Sequence, residues 1–170
     1  MNATTRVLTI ALLCTAAVAC TKKVKEAPPV VDTTPPPVTQ PVATDDGMYT
    51  PADLDTDACL RTRVVYFDFD QATIRPEFQA AMDCHAKYLN DRPSSRMNLE
   101  GNADERGSRE YNLGLGERRG NAVSSALQAS GGSAGQVSVI SYGEERPVCT
   151  ASTEDCWARN RRVEIVYTVK

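Results

Sequence analysis

The chain has 170 residues, of which 41% are apolar and 24% charged, with a formal charge of −3 at pH 7. That is enough for one domain with a real core. The acidic balance and the lack of basic runs argue against a nucleic-acid partner.

The first third stands apart from that core. Residues 1–6 carry one positive charge, residues 7–18 form a short apolar run, and "AVAC" closes it with small residues before Cys20. This reads as a secretory signal, too short to span a bilayer as a mature helix. The "AVAC" ending resembles the lipobox of bacterial lipoproteins, in which the cysteine becomes the lipidated first residue. Cys14 is the weaker candidate because Leu13 precedes it. Thr21 stands where an aspartate would resemble an inner-membrane retention signal, so outer-membrane sorting is expected. Residues 21–52, "TKKVKEAPPVVDTTPPPVTQPVATDDGMYTPA", are dense in Pro and Thr and show no helical or strand period. Such a segment buries no core. In extended polyproline geometry it reaches on the order of 90 Å at about 3.1 Å per residue. The expected organisation is a signal peptide at 1–19, a lipidated Cys20 with a linker to 58, and a folded domain at 59–170.

The domain takes shape element by element. "RVVYFDF" at 63–69 is β-branched and aromatic and reads as a strand. Pro76 suits a first helical position, and Phe78, Met82, His85 and Leu89 repeat at helical spacing up to Pro93. "RMNLEG" reads as a second strand, and Ser108 as the cap of a second helix that ends at Gly131 and Gly132. "QVSVISYG" and "RRVEIVYTV" supply two more strands. Strands alternating with two long helices predict an α/β sandwich, with both helices on one sheet face.

Four cysteines remain in the exported part, and four allow three pairings. Cys149 and Cys156 bracket a short polar loop, which favours their pairing and leaves Cys59 for Cys84. No CxxC or CxxxH spacing suggests zinc. His85, the single histidine, sits on an apolar helical stripe and reads as a core residue. With no second histidine and no nucleophile–base pair, no hydrolytic triad assembles around it. GxxxxGK[ST] and GxGxxG are absent, so neither nucleotide binding nor any other cofactor is expected.

The loop after the second strand carries the remaining chemistry. A helical period places Tyr111, Leu115, Arg119, Ala122, Ala126 and Ala129 on one stripe, which points an arginine inward. A guanidinium there needs an anionic partner. Asp104 lies in the turn before a helix start, where free N–H groups also favour anions. Two readings stand at this point. In one, Asp104 and Arg119 grip the two charges of a zwitterion; in the other, they form a salt bridge that only fixes the loop.

"VYFDFD", "RPEFQ", "HAKYL", "LEGNADERGSREYNLGLGERRG", "SYGEERP" and "NRRVEIVY" together resemble the OmpA-like domain family, in its branch of peptidoglycan-associated lipoproteins. The resemblance covers about residues 63–167. It implies a βαβαββ sandwich, a mixed four-stranded sheet with helices on one face. It also implies a non-enzymatic protein that binds the meso-diaminopimelate of peptidoglycan stem peptides without covalent attachment. Matched by motif, the ligand residues are Asp104 and Arg119, with Phe69 and Asp70 beside them. Asn102, Ala103 and Asn112 line the same pocket, and Arg161 is a further candidate. The implied setting is an outer-membrane lipoprotein facing the periplasm, with TolB and other Tol proteins as partners and a role in cell division. The alternatives are a peptidoglycan-binding lipoprotein without a Tol role, or a cell-wall enzyme. Gly116 and Gly120 stand where the family often has serine and alanine, and each is expected to loosen the helix by about 1 kcal/mol. The loop from Cys149 to Cys156 also departs from the branch, so the resemblance carries over no partner contacts near it.

Overall fold

The computed structural model describes residues 47–170. The signal peptide, the Cys20 lipidation site and the linker up to residue 46 lie outside the described residues. No helix among the described residues is long and apolar enough to cross a membrane.

A one-turn helix, α1 (Asp53–Thr56), precedes strand β1 (Val64–Tyr66). A 3₁₀ turn (Pro76–Phe78) with proline at its start leads into α2 (Gln79–Asp91). Strand β2 (Arg96–Asn102) and the long helix α3 (Arg109–Ala129) follow. A second 3₁₀ turn leads to β3 (Val137–Gly143), then α4 (Glu154–Asn160) and β4 (Arg162–Val169). The sheet order is β1-β4-β2-β3. β4 runs antiparallel to both β1 and β2, and β2 runs parallel to β3. This is the mixed four-stranded sheet that the family resemblance implies. β1 is shorter than its apolar run, because the chain leaves the sheet after Tyr66 and turns over residues 67–71.

Alternation decides which side chains face the helices. Met97, Leu99 and Gly101 of β2 lie level with Tyr167, Ile165 and Val163 of β4 and with Val137, Val139 and Ser141 of β3. Met82, Ala86 and Leu89 of α2, and Val123 and Leu127 of α3, close over this face to make the main core. Leu54, Leu60 and Tyr88 form a smaller cluster beside it. Leu54 falls in the segment read from sequence as linker, yet it is fully buried, and the Cys59–Cys84 disulfide ties that stretch to α2.

His85 is a core residue with both ring nitrogens engaged. Nε2 lies 3.1 Å from the Thr62 carbonyl oxygen and Nδ1 2.8 Å from the Tyr167 hydroxyl. A carbonyl only accepts, so Nε2 carries the proton and Nδ1 accepts from the tyrosine. Burial pulls the His85 pKa from 6.5 down to about 4.

The inward face of α3 differs from the predicted stripe. Its buried residues are Asn112, Leu115, Gly116, Arg119, Gly120, Val123 and Leu127, while Tyr111 and Ala129 are exposed. The glycines account for the shift. A Cβ on Gly116 would sit 2.4 Å from Ser141 Oγ, and one on Gly120 2.5 Å from Val139 Cγ1. A Cβ on Gly101 below would meet the Gly116 carbonyl oxygen at 2.0 Å. The helix therefore lies directly on the sheet at a glycine-to-glycine crossing. The expected cost of Gly116 and Gly120 in helix propensity is outweighed, since any side chain would lift the helix off β2 and β3.

Candidate binding pocket

That close crossing brings Arg119 down to the C-terminal end of β2. Its side chain is fully buried. Nη1 donates to the Asn102 carbonyl oxygen at 2.8 Å, Nε to that of Gln71 at 2.8 Å and Nη2 to that of Asp68 at 3.1 Å. Burial pulls its pKa from 12.5 down to about 10, against the pull of the Asp104 charge, so it stays protonated at neutral pH. The Asp104–Arg119 salt bridge, one of the two readings left open by the sequence, is not formed: among the described residues no ion pair links the two, and backbone carbonyls take the guanidinium instead. Two of those carbonyls belong to the turn after β1, which carries Phe69 and Asp70. The arginine thus pins the turn from beneath. Asp70 itself adopts the left-handed region (φ 57°), which aspartate tolerates better than most residues. Its carboxylate accepts from the Tyr111 hydroxyl.

Asp104 is 4% exposed. Arg106 Nη2 reaches its Oδ2 at 2.7 Å, Arg106 Nε and backbone N reach Oδ1 at 3.1 Å each, and Arg161 Nη1 reaches Oδ2 at 3.2 Å. Burial raises the Asp104 pKa, but the bonds from Arg106 and Arg161 outweigh it and hold the carboxyl below its usual value. Asp104 is therefore charged at neutral pH. Arg161 also donates to the Phe67 carbonyl at 3.1 Å and to Glu154 at 2.6 Å, which joins the β1 turn to α4. Ser108 caps α3 as expected, its Oγ accepting from the Tyr111 N–H at 3.2 Å.

These groups surround a pocket of about 190 Å³ lined by Phe69, Asp70, Asp104, Arg106, Gly107, Tyr111, Asn112 and Leu115. Four of the expected site residues, Phe69, Asp70, Asp104 and Asn112, meet there. Arg119 and Asn102 are buried outside its lining, and Arg161 lines a separate cavity with Phe67 and Asp68. Ala103 lines a neighbouring cavity with Glu105 and Glu144. Sequence reasoning missed Arg106, whose guanidinium faces the pocket, although it stands two residues from Asp104 in the same motif. It also missed Trp157, whose ring centroid lies 4.2 Å from the Arg106 guanidinium carbon through tertiary docking that leaves no local signal. Both disulfides are formed, Cys59 with Cys84 and Cys149 with Cys156. Among the described residues no cluster of His, Cys, Asp and Glu is arranged to hold a metal ion.

The fold and pocket define a small α/β sandwich that sets two carboxylates, Asp70 and Asp104, and one guanidinium, Arg106, around a pocket at the end of its sheet. The OmpA family profile matches residues 66–161, and the chain belongs to the OmpA family. It is 50% identical over 113 residues to the peptidoglycan-associated lipoprotein of Pseudomonas putida, covering 66% of this chain and 68% of that protein. It is 46% identical over 107 residues to the same-named protein of Pasteurella multocida, covering 63% and 71%. The crystal structure of the peptidoglycan-associated lipoprotein from Burkholderia pseudomallei superposes with a TM-score of 0.66 at 41% identity, covering 68% of this chain and 98% of that one. These are proteins of a non-enzymatic, structural family.

Proposed function

We propose that the domain binds peptidoglycan non-covalently through the meso-diaminopimelate of its stem peptide and so ties the outer membrane to the cell wall. The observation that carries this reading is the ionised Asp104 carboxylate at the wall of a small pocket, beside the Arg106 guanidinium and the exposed Phe69 ring. The free end of diaminopimelate is a zwitterion with a short aliphatic stem. Its ammonium goes to Asp104, its carboxylate to the cationic side of the pocket, and its methylenes to Phe69 and Leu115. Asp70 and Asn112 border the same space. Arg119 contributes from beneath the Phe69–Asp70 turn, by its charge and by holding the turn in place. Asn102, Ala103 and Arg161 support the wall without lining it.

Co-sedimentation with purified sacculi tests the reading. A charge-assisted bond contributes about 1.5 to 3 kcal/mol. Asp104→Ala then weakens binding roughly ten- to a hundredfold. Wild-type binding by this variant rejects the site, and release of muropeptides from the sacculi points to an enzyme instead.

The remaining parts of the proposal rest on the sequence and the family. Cys20 is the acylated first residue, each buried methylene adding roughly 0.8 kcal/mol of membrane affinity, and the domain faces the periplasm on its Pro-rich tether. Unchanged membrane fractionation of Cys20→Ala rejects the anchor. The protein acts with TolB and other Tol proteins in envelope constriction during division. Recovery of TolB on co-purification supports that role, and its absence leaves a peptidoglycan-binding lipoprotein without it.

A further inference from the structure

The Arg106 guanidinium is stacked between two rings. Its central carbon lies 4.0 Å from the Phe69 ring centroid and 4.2 Å from that of Trp157. One edge of the fork is spent on Asp104, and Nη1 lies 3.5 Å from Glu154. A long, flexible side chain at the rim of an open pocket would ordinarily sample many rotamers. Here contact with two aromatic rings restricts it.

Trp157 is itself held from several directions. Its Nε1 donates to Glu105 Oε1 at 3.0 Å, and Ser152 Oγ donates to the same oxygen at 2.7 Å. Its neighbour Cys156 is bridged to Cys149. Asn160, at the end of α4, latches the start of the loop: its Oδ1 accepts from the Val148 and Cys149 N–H groups at 3.0 and 3.1 Å, and its Nδ2 donates to the Cys149 carbonyl at 2.7 Å. The disulfide loop thus docks one indole against one arginine, and that arginine forms the cationic side of the pocket.

We infer that Trp157, held by the Cys149–Cys156 loop, is a positioning residue for ligand recognition: it acts through Arg106, which it fixes as the group that meets the ligand's carboxylate beside Asp104. The inference rests on the proposed binding of a zwitterionic stem-peptide end. It gives the bridged loop a task in recognition that a purely stabilising cross-link would not have.

Trp157 is the single tryptophan of the chain, so its emission reports on this wall alone. The test uses the full-length protein, a muropeptide ending in meso-diaminopimelate and purified sacculi. Titration of the muropeptide changes Trp157 emission in the wild type, with the midpoint found by sedimentation, and gives no change in Asp104→Ala. Trp157→Ala weakens sacculus binding about five- to tenfold. Trp157→Phe, which keeps a ring over Arg106 but loses the bond to Glu105, stays within about twofold of wild type. The double variant Cys149→Ser/Cys156→Ser falls between them, and binding is compared only at temperatures where circular dichroism shows each variant folded.

Unchanged or tighter binding by Trp157→Ala, with binding still lost in Asp104→Ala, overturns this inference and leaves the proposed site standing. An equal loss in Trp157→Phe and Trp157→Ala also overturns it, because the Glu105 bond would then be what matters. If Trp157→Ala does not fold, the emission titration and the Trp157→Phe comparison decide. A wild type that fails to bind the muropeptide removes both readings.

Discussion

The buried middle of α3 and the rim of the pocket each hold an arginine, and they accommodate its charge in opposite ways. Arg119 is removed from water and surrounded by carbonyl oxygens, an arrangement that strengthens the frame. Arg106 keeps part of its surface in solvent, pairs with a carboxylate and lies between aromatic rings, an arrangement that leaves a cation available. A guanidinium satisfied by dipoles from every side has little left to offer a ligand. One that pairs with carboxylates at a rim and keeps about a third of its side chain in water can still meet an anion. Substitutions at the frame should therefore register first as lost stability, and those at the rim first as lost binding.

The largest expected effect is at Arg119. Its removal strips three hydrogen bonds from charged nitrogens, one of them to the buried Asn102 carbonyl, at about 1.5 to 3 kcal/mol for each such bond. Arg119→Ala should lose about 3 to 5 kcal/mol in urea unfolding, and sacculus binding should fall as the Phe69–Asp70 turn loosens. A folded Arg119→Ala protein that binds as well as wild type would break the comparison. So would a stability loss below about 1 kcal/mol, which would show that the carbonyl cage contributes little.

Next is the crossing that lets Arg119 reach the sheet. Gly101→Ala puts a methyl group 2.0 Å from a backbone carbonyl that has no rotamer to escape into. A cost of about 3 kcal/mol is expected, measured by thermal unfolding. Because the helix must lift, binding should weaken as well. A neutral Gly101→Ala would mean that α3 can shift without disturbing the site.

How far such a frame can be read from sequence depends on whether its cause is local. The strands and both long helices were legible because alternation, the Ser108 cap and the closing Gly131–Gly132 act over a few residues. That Arg119 points inward was legible from the same periodicity. Its partners were not, since Asp68, Gln71 and Asn102 reach it only after the glycine crossing has formed. The glycines read as a weakness in a helix taken alone and prove to be the contact that sets the packing. Asp104 was legible as a site residue, and so by resemblance was Arg161, but Arg106, the second cation that holds it, was not. Arg106 is its near neighbour in the chain, but which arginine turns toward it depends on Phe69 and Trp157, supplied by distant segments.

A pH series separates frame from rim in another way. The His85 pKa is lowered from 6.5 to about 4 by folding. Between those values the unfolded chain binds a proton that the folded chain refuses, so stability is complete above about pH 6.5 and falls as pH drops toward 4. The loss is on the order of 3 kcal/mol. His85→Phe should flatten this part of the profile, even though it starts from a lower stability. Asp104, by contrast, is held below its ordinary value, so its charge should persist through the same window. Sacculus binding measured at low temperature should change little between pH 6.5 and 5 while the melting temperature declines. A parallel fall of both would show that frame and rim titrate together.

The smallest effect is expected where an ion pair lies in neither environment. Arg109 begins α3, and its Nη2 lies 2.5 Å from Glu145 Oε1, with side-chain exposures of 66% and 41%. Both of its bonding nitrogens share the one carboxylate oxygen, and both groups are hydrated in the unfolded chain and remain largely so here. Such pairs contribute about 0 to 1 kcal/mol and weaken with salt. The position subtracts further, since a cation in the first turn of a helix opposes the helix dipole. Arg109→Ala should therefore change stability by less than about 1 kcal/mol, with the difference vanishing in 1 M salt, and should leave sacculus binding within about twofold of wild type. A loss above 2 kcal/mol would mean that this bond holds the segment after β3 against α3, and the division between a rigid frame and an adaptable rim would have to be redrawn to place that segment in the frame.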